Sequence, residues 1–317
     1  MSRDRDLSPA PDRSESRSSG GGREMPRGGR SGGSGRGARP ALADFRDALT
    51  QQLDLPRGRE REQVVAGDRA YALRASEVRT LAAVGAFRVA DVRDVATLRR
   101  DRWHGDVEQL RESGLLTTTP HLLDGQRTAV VALTREGQAV LEAHRRHDPE
   151  RAPQAFYSGV VKPRELTHDA QLYRAYASAA ERLHAGGARV ERVVLDYELK
   201  RDYQRFLQHN NRAHGRRTGR PDRSRDEIRD WAKEHDLPIV GDRVQFPDVR
   251  IEYERPDGSR EHQDVELATG HYNSRQMGAK RAAGFTLHHS AGSRLNGTGG
   301  RKGGSPFEPH VAERVLG

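Results

Sequence analysis

The chain contains no cysteine. This removes disulfides, thiolate metal sites and cysteine nucleophiles from consideration, and it fits a reducing compartment. Aromatic residues make up only 5% of the 317 residues and hydrophobic residues 33%. Modest cores and substantial stretches without packed structure are therefore expected. No apolar run approaches the about 20 residues that span a bilayer. The opening MSRDRDLSPAPDRSESRSSG also lacks the apolar centre of a secretory signal. A cytoplasmic protein without a membrane partner is expected. What the sequence has in quantity is charge: 55 Lys and Arg stand against 46 Asp and Glu, a formal net charge of +9. A polyanion is the natural partner for such a surface.

Residues 1–40 are Arg, Gly, Ser and Pro with almost nothing to bury, and they read as a disordered tail. Residues 291–317 read as a second flexible tail. Its GTGGRKGGS departs from a phosphate loop because Lys302 is followed by Gly303. Within 41–67, Leu42, Phe45, Leu49 and Leu53 recur at helical spacing, which predicts a short docking helix ahead of the charged hinge PRGREREQ.

Residues 68–146 predict a compact helix with Val78, Leu81, Ala82 and Val84 inward, then a short second helix over VADVRDVA. A third helix follows, with Trp103, Val107, Leu110 and Leu115 on one face. TTTPHLLDGQRTAVVALT reads as two strands turning at Asp124-Gly125, and REGQAVLEAHRR as a closing helix. This order resembles a winged helix-turn-helix. Arg99, Arg100, Arg102 and His104 near the start of the third helix, with Arg127 on the wing, would be its DNA contacts, because guanidinium groups reach both phosphates and guanine edges. The competing reading is a protein–protein module whose arginines form a solvated face.

Pro149, Pro153 and Pro163 punctuate 147–165, which reads as a linker. The stretch 166–290 then predicts an α/β domain on a mixed sheet. Its first helix opens at Leu166-Thr167-His168 and buries Leu172, Tyr176, Ala179 and Leu183. A strand over Val190 to Leu195 ends in Asp196, Glu198 and Lys200. A basic excursion follows, in which Arg216 and Arg217 would track a phosphate backbone. Ser224 and Glu227 form a capping box for the next helix.

The most informative stretch is Val244 to His289. Strands on either side of Arg255-Pro256-Asp257-Gly258-Ser259 predict a tight hairpin. If Arg255 faces Ser259, Asp248 lies directly opposite Glu266. Like charges side by side repel unless something positive sits between them, and a hard divalent cation wants that arrangement of oxygens. The alternative is a solvated charged face, since Glu252, Glu254 and Asp264 share it.

Pro247-Asp248 followed by Glu266 on the next strand resembles the PD-(D/E)xK restriction-endonuclease-like superfamily. The resemblance implies that Asp248 and Glu266 hold Mg²⁺, with Glu198 assisting, and that a Lys two residues after the Glu helps to activate water. Here that place is taken by Ala268. Some members carry the Lys on the following helix, and Lys280 is the candidate. The layout over roughly 68–290 more closely resembles the replication-relaxation family of plasmid and mobile-element proteins. Its features here are Leu166-Thr167-His168, an acidic strand end at Glu198, Pro247-Asp248, Val265-Glu266-Leu267 and Lys280. That resemblance implies an α/β protein with a winged helix-turn-helix followed by a nuclease-like domain. It further implies binding to double-stranded DNA in plasmid replication, relaxation or conjugative mobilisation, beside replication or relaxosome proteins. Ala268 keeps a second reading open, that of a non-catalytic DNA-binding accessory or regulator. A protein-interaction adaptor, binding indifferently to salt, is the third.

Overall fold

The structure, a computed structural model, describes residues 45–97, 105–123, 125–160, 165–209, 211, 223–268 and 274–289. Both expected tails lie outside the described residues, as do Arg99, Arg100, Arg102, His104, Arg216 and Arg217.

The described part is mixed α/β. It opens with a 3-10 helix, Phe45–Thr50, where an α-helix was expected. A hairpin follows, β1 (Glu62–Ala66) and β2 (Arg69–Leu73), turning at Gly67 with φ 59°. The charged hinge thus leads into an unanticipated strand pair. Only Val64, Tyr71 and Leu73 of it are buried, too few apolar positions to stand out in so charged a segment.

Next come α1 (Ala75–Ala86), β3 (Val89–Asp91), α2 (Val92–Thr97), α3 (Gly105–Glu112), β4 (Leu116–Leu123), β5 (Gln126–Leu133) and α4 (Arg135–Ala143). The sheet order is β3-β5-β4, antiparallel throughout. Val78, Leu81, Ala82, Val84, Val107, Leu110 and Leu115 are buried, so the helical spacings do face a core. Thr134 caps α4 by accepting the Gly137 N–H at 3.0 Å. Gly137 lets α4 press on the chain entering β4, because a Cβ there would lie 2.2 Å from the Leu115 carbonyl oxygen.

Residues 147–160, inside the expected linker, are held rather than free. The buried Gln154 side chain donates to Val193 O at 3.0 Å and accepts from Val193 N at 2.9 Å, so its amide stands in for a neighbouring strand. Phe156 joins the core.

The remaining elements are α5 (Leu166–Ala185), β6 (Arg189–Leu195), α6 (Asp196–Leu207), α7 (Arg225–Glu234), β7 (Ile239–Val240), β8 (Arg243–Val244), β9 (Val249–Glu254), β10 (Arg260–Ala268), α8 (Ser274–Ala282) and β11 (Thr286–His289). The four-stranded sheet runs β11-β10-β9-β6 and is mixed, with only β10 and β11 parallel. Helix α5 packs against both β3 and β10. One apolar core therefore continues from Leu49 through Val131 and Tyr176 to Val265. The Ser224–Glu227 capping box opens α7 as the spacing predicts, with Ser224 accepting the Glu227 N–H and Glu227 accepting the Ser224 N–H. A smaller cluster around Trp231 ties α7 to Tyr203 and Phe206 of α6. Among the described residues no helix is long and apolar enough to cross a membrane.

Candidate functional site

The turn between β9 and β10 sets the geometry of the site. The Arg255 N–H donates to Ser259 O at 2.8 Å and the Gly258 N–H to Arg255 O at 2.9 Å. Gly258 takes φ 88°, which glycine reaches without a Cβ penalty. From this closure the ladder runs through Arg260↔Glu254 to Val265↔Val249, so the next residues, Asp248 and Glu266, face each other. There the carboxylates replace the ladder. The Asp248 N–H points to Glu266 Oε2 at 3.3 Å, and the Leu267 N–H donates to Asp248 Oδ2 at 2.8 Å. Glu266 is 0% exposed and Asp248 9%.

Two buried carboxylates this close need counter-charge, and the fold supplies it from two helices. Lys280 on α8 places Nζ 2.9 Å from Glu266 Oε1 and donates to Phe246 O at 2.7 Å. His168 near the start of α5 sets Nε2 3.3 Å from Asp248 Oδ2 and Nδ1 3.3 Å from Asp169 Oδ1. Burial opposes a charge on the His168 ring. The Asp169 and Asp248 carboxylates outweigh it and raise its pKa to about 10, so the ring is an imidazolium at neutral pH. From α6, the Asp196 N–H donates to Asp248 O at 3.1 Å. Lys200 lies 2.6 Å from Asp196. Burial works against its charge, but Asp196 foremost, and then Asp248 and Glu266, push its pKa up.

Asp248, Glu266 and Lys280 are thus brought together, and His168 joins them. Glu198 does not: it sits in the first turn of α6 rather than at a strand end. It pairs with Arg192 at 2.8 Å. Its charge and the burial of Tyr157 together push the Tyr157 phenol up. The reason is periodicity. On a strand, 196, 198 and 200 would share a face; on a helix, 196 and 200 do, and 198 turns away. Asp196 and Lys200 at i, i+4 were the available signal for the helix. Arg127 is exposed on β5, two residues past Gly125. The remaining expected DNA contacts fall outside the described residues.

Sequence reading also missed Arg250. It lies on the charged side of β9 yet is buried. It bonds Asp264 at 2.8 and 2.9 Å and donates to the His235 and Asp236 carbonyls at 2.7 and 2.8 Å. The end of α7 covers that part of the sheet.

The residues at hand suit one kind of metal site only. No group of three or more His, Asp or Glu side chains forms a dedicated cage among the described residues. Mg²⁺, however, commonly uses one or two carboxylates and completes its shell with water and substrate phosphate oxygens. Asp248 and Glu266 fit that pattern. Compared with protein-family models, curated proteins and solved structures, the chain matches none.

Proposed function

We propose that the chain is a DNA-binding protein of plasmid or mobile-element replication, relaxation or mobilisation, with a Mg²⁺-dependent phosphodiester-hydrolysing site in its second half. The observation that carries this reading is the Lys280 ammonium 2.9 Å from Glu266. It arrives from the helix after β10, while Ala268 occupies the position where the PD-(D/E)xK pattern has its Lys. The order α5, β6, β9, β10, α8, β11, with Asp248 entering the second of these strands, supports the nuclease-like reading. The order α1, β3, α2, α3, β4, β5, with β3 paired to β5, supports the winged-helix reading of the first half.

In this reading Asp248 and Glu266 would hold the ion, which when bound draws charge from the phosphate and acidifies a water. Lys280 pairs with Glu266 and sets a positive charge where a phosphate oxygen or attacking water would stand. The His168 imidazolium pairs with Asp248, and Asp169 holds its ring by the other nitrogen. Arg127 and the basic segments add the sequence-independent attraction to the backbone.

A second reading keeps the DNA binding and drops the hydrolysis, making the protein an accessory or regulator. Ala268 favours it, as does the fact that Lys280 and His168 already neutralise the two carboxylates. The two readings part on one experiment, the conversion of supercoiled plasmid to nicked or linear form. Conversion with Mg²⁺ or Mn²⁺ that Asp248→Ala abolishes is the expected result. No conversion with either ion, alongside DNA retention that falls with salt, would replace the enzyme by the accessory binder.

A further inference from the structure

Beside the carboxylate pair lies a cleft of about 570 Å³, walled by α5, α6 and the turn after α1. That volume lies within the range of small-ligand sites. His168 belongs to both places, lining the cleft while bonding Asp248. Lys200 also lines it and feels the charges of Asp248 and Glu266. A strand held at the carboxylates would therefore pass its adjacent nucleotide into this cleft.

The cleft is furnished for a flat, negatively charged group. Tyr197 is 48% exposed, the only exposed aromatic ring among the described residues. Its ring is backed edge-on by Tyr157, with centroids 6.1 Å apart. The Arg88 and Arg201 guanidinium groups lie over the ring, their carbons 5.6 and 6.0 Å from its centroid. Arg88 holds φ 67° at the end of α1, a place glycine fills without strain and arginine does not. What arginine gains there is reach, since its guanidinium extends to Asp169 at 3.9 Å and to the Tyr197 ring. Acids are present too: Asp196 is bonded to Lys200, and Asp169 to His168 and Arg88. Arg201 leans on Asp202 at 3.4 Å and is partly open to solvent.

We infer that this cleft takes one unpaired nucleotide of the strand engaged at Asp248 and Glu266. The base takes the place of the exposed Arg201 guanidinium over the Tyr197 ring, and the phosphate meets the displaced Arg201 and Lys200. This rests on the phosphodiester reading above and narrows it: a base inside a duplex offers no free face, so the substrate is single-stranded or has a nucleotide turned out of the stack.

The test is fluorescence anisotropy of the full chain with labelled oligothymidylate, with the matching duplex, and with free thymidine monophosphate as competitor. Tyr197→Ala should weaken oligothymidylate binding about tenfold or more and leave duplex binding unchanged. Tyr197→Phe should retain wild-type affinity, because it keeps the ring. Equal losses on both DNAs, no loss on either, or Tyr197→Phe as weak as Tyr197→Ala would each overturn the inference. So would free nucleotide binding as tightly as the strand. Plasmid nicking by wild type and Asp248→Ala reports separately on the hydrolytic reading. Absence of nicking with the Tyr197 effect intact removes the chemistry and leaves the nucleotide site. Nicking with no Tyr197 effect does the reverse.

Discussion

Replacing Lys280 with Met keeps the length of the side chain and removes its charge, leaving Glu266 fully buried beside Asp248 without its nearest cation. At 2.9 Å and an effective dielectric of about 20, the direct attraction is about 6 kcal/mol. The lysine recovers part of this when it returns to water in the unfolded chain, and its side chain is already 17% exposed in the fold. Breaking one side of a buried pair costs about 3–5 kcal/mol. Glu266 keeps the Asp248 N–H, so the lower end of that range, about 3 kcal/mol, is expected. Glu266→Gln in the same background removes the stranded charge, and the double variant should lie within about 1 kcal/mol of wild type. Any cost of Glu266→Gln alone adds to the difference between these two, so the coupling is at least about 2 kcal/mol, read from urea unfolding of wild type, both single variants and the double variant at neutral pH. The single Lys280→Met variant should also recover stability on acidification, as Glu266 takes up a proton. Coupling below about 0.5 kcal/mol, the scatter of independent sites, would refute the argument and detach Lys280 from the carboxylates.

Two further outcomes follow from the packing. Gly137→Ala, in the first turn of α4 where alanine would ordinarily favour the helix, should instead destabilise by about 2 kcal/mol. The new Cβ would stand 2.2 Å from a backbone oxygen of Leu115; a neutral or stabilising result in urea unfolding would contradict that close approach. Histidine-ring NMR should find His168 protonated through pH 8. His288 should stay neutral down to about pH 5, because burial and then Arg182 and His289 lower its pKa to about 4. The signs are opposite. The raised value of His168 contributes stability that is complete below about 6.5 and lost as pH rises toward 10. The lowered value of His288 removes stability as pH falls from 6.5 toward 4. Both rings titrating near 6.5 would place them in water.

The parts of the fold that were legible in the sequence are those where a local rule decides the outcome. A five-residue closure from Arg255 to Ser259 leaves one register, and that register alone puts Asp248 against Glu266. Helical spacing picked out Leu81, Leu110 and Tyr176, which are buried. Local rules fail where a distant element decides. Arg250 reads as one more outward charge on β9 until the end of α7 covers it. Residues 147–160 read as linker until Gln154 finds the backbone of Val193. Glu198 fails for a different reason: the strand ends at Leu195 as expected, but the residues after it wind into a helix from Asp196 instead of continuing the strand end. His168 was marked in the sequence by its place in Leu166-Thr167-His168 at a helix start, but its partner Asp248 comes only from the three-dimensional fold.

The displaced lysine has a physical logic that concerns the fold as much as the chemistry. Ala268 is buried and pairs with His289 in the parallel ladder to β11. A lysine at 268 would start from that closed corner, two residues along the strand from Glu266. Lys280 reaches the same carboxylate from outside the sheet, its ammonium over the Phe285 ring at 5.2 Å from the centroid. Helix α8 buries none of its own residues, so apolar packing does little to hold it. The bonds from Lys280 to Glu266 and to the Phe246 carbonyl fasten it to the sheet. One ammonium thus neutralises the carboxylate and anchors the helix that carries it. Loss of function in a Lys280 variant would therefore not separate a chemical role from a structural one, whereas loss in Asp248→Ala with α8 still in place would.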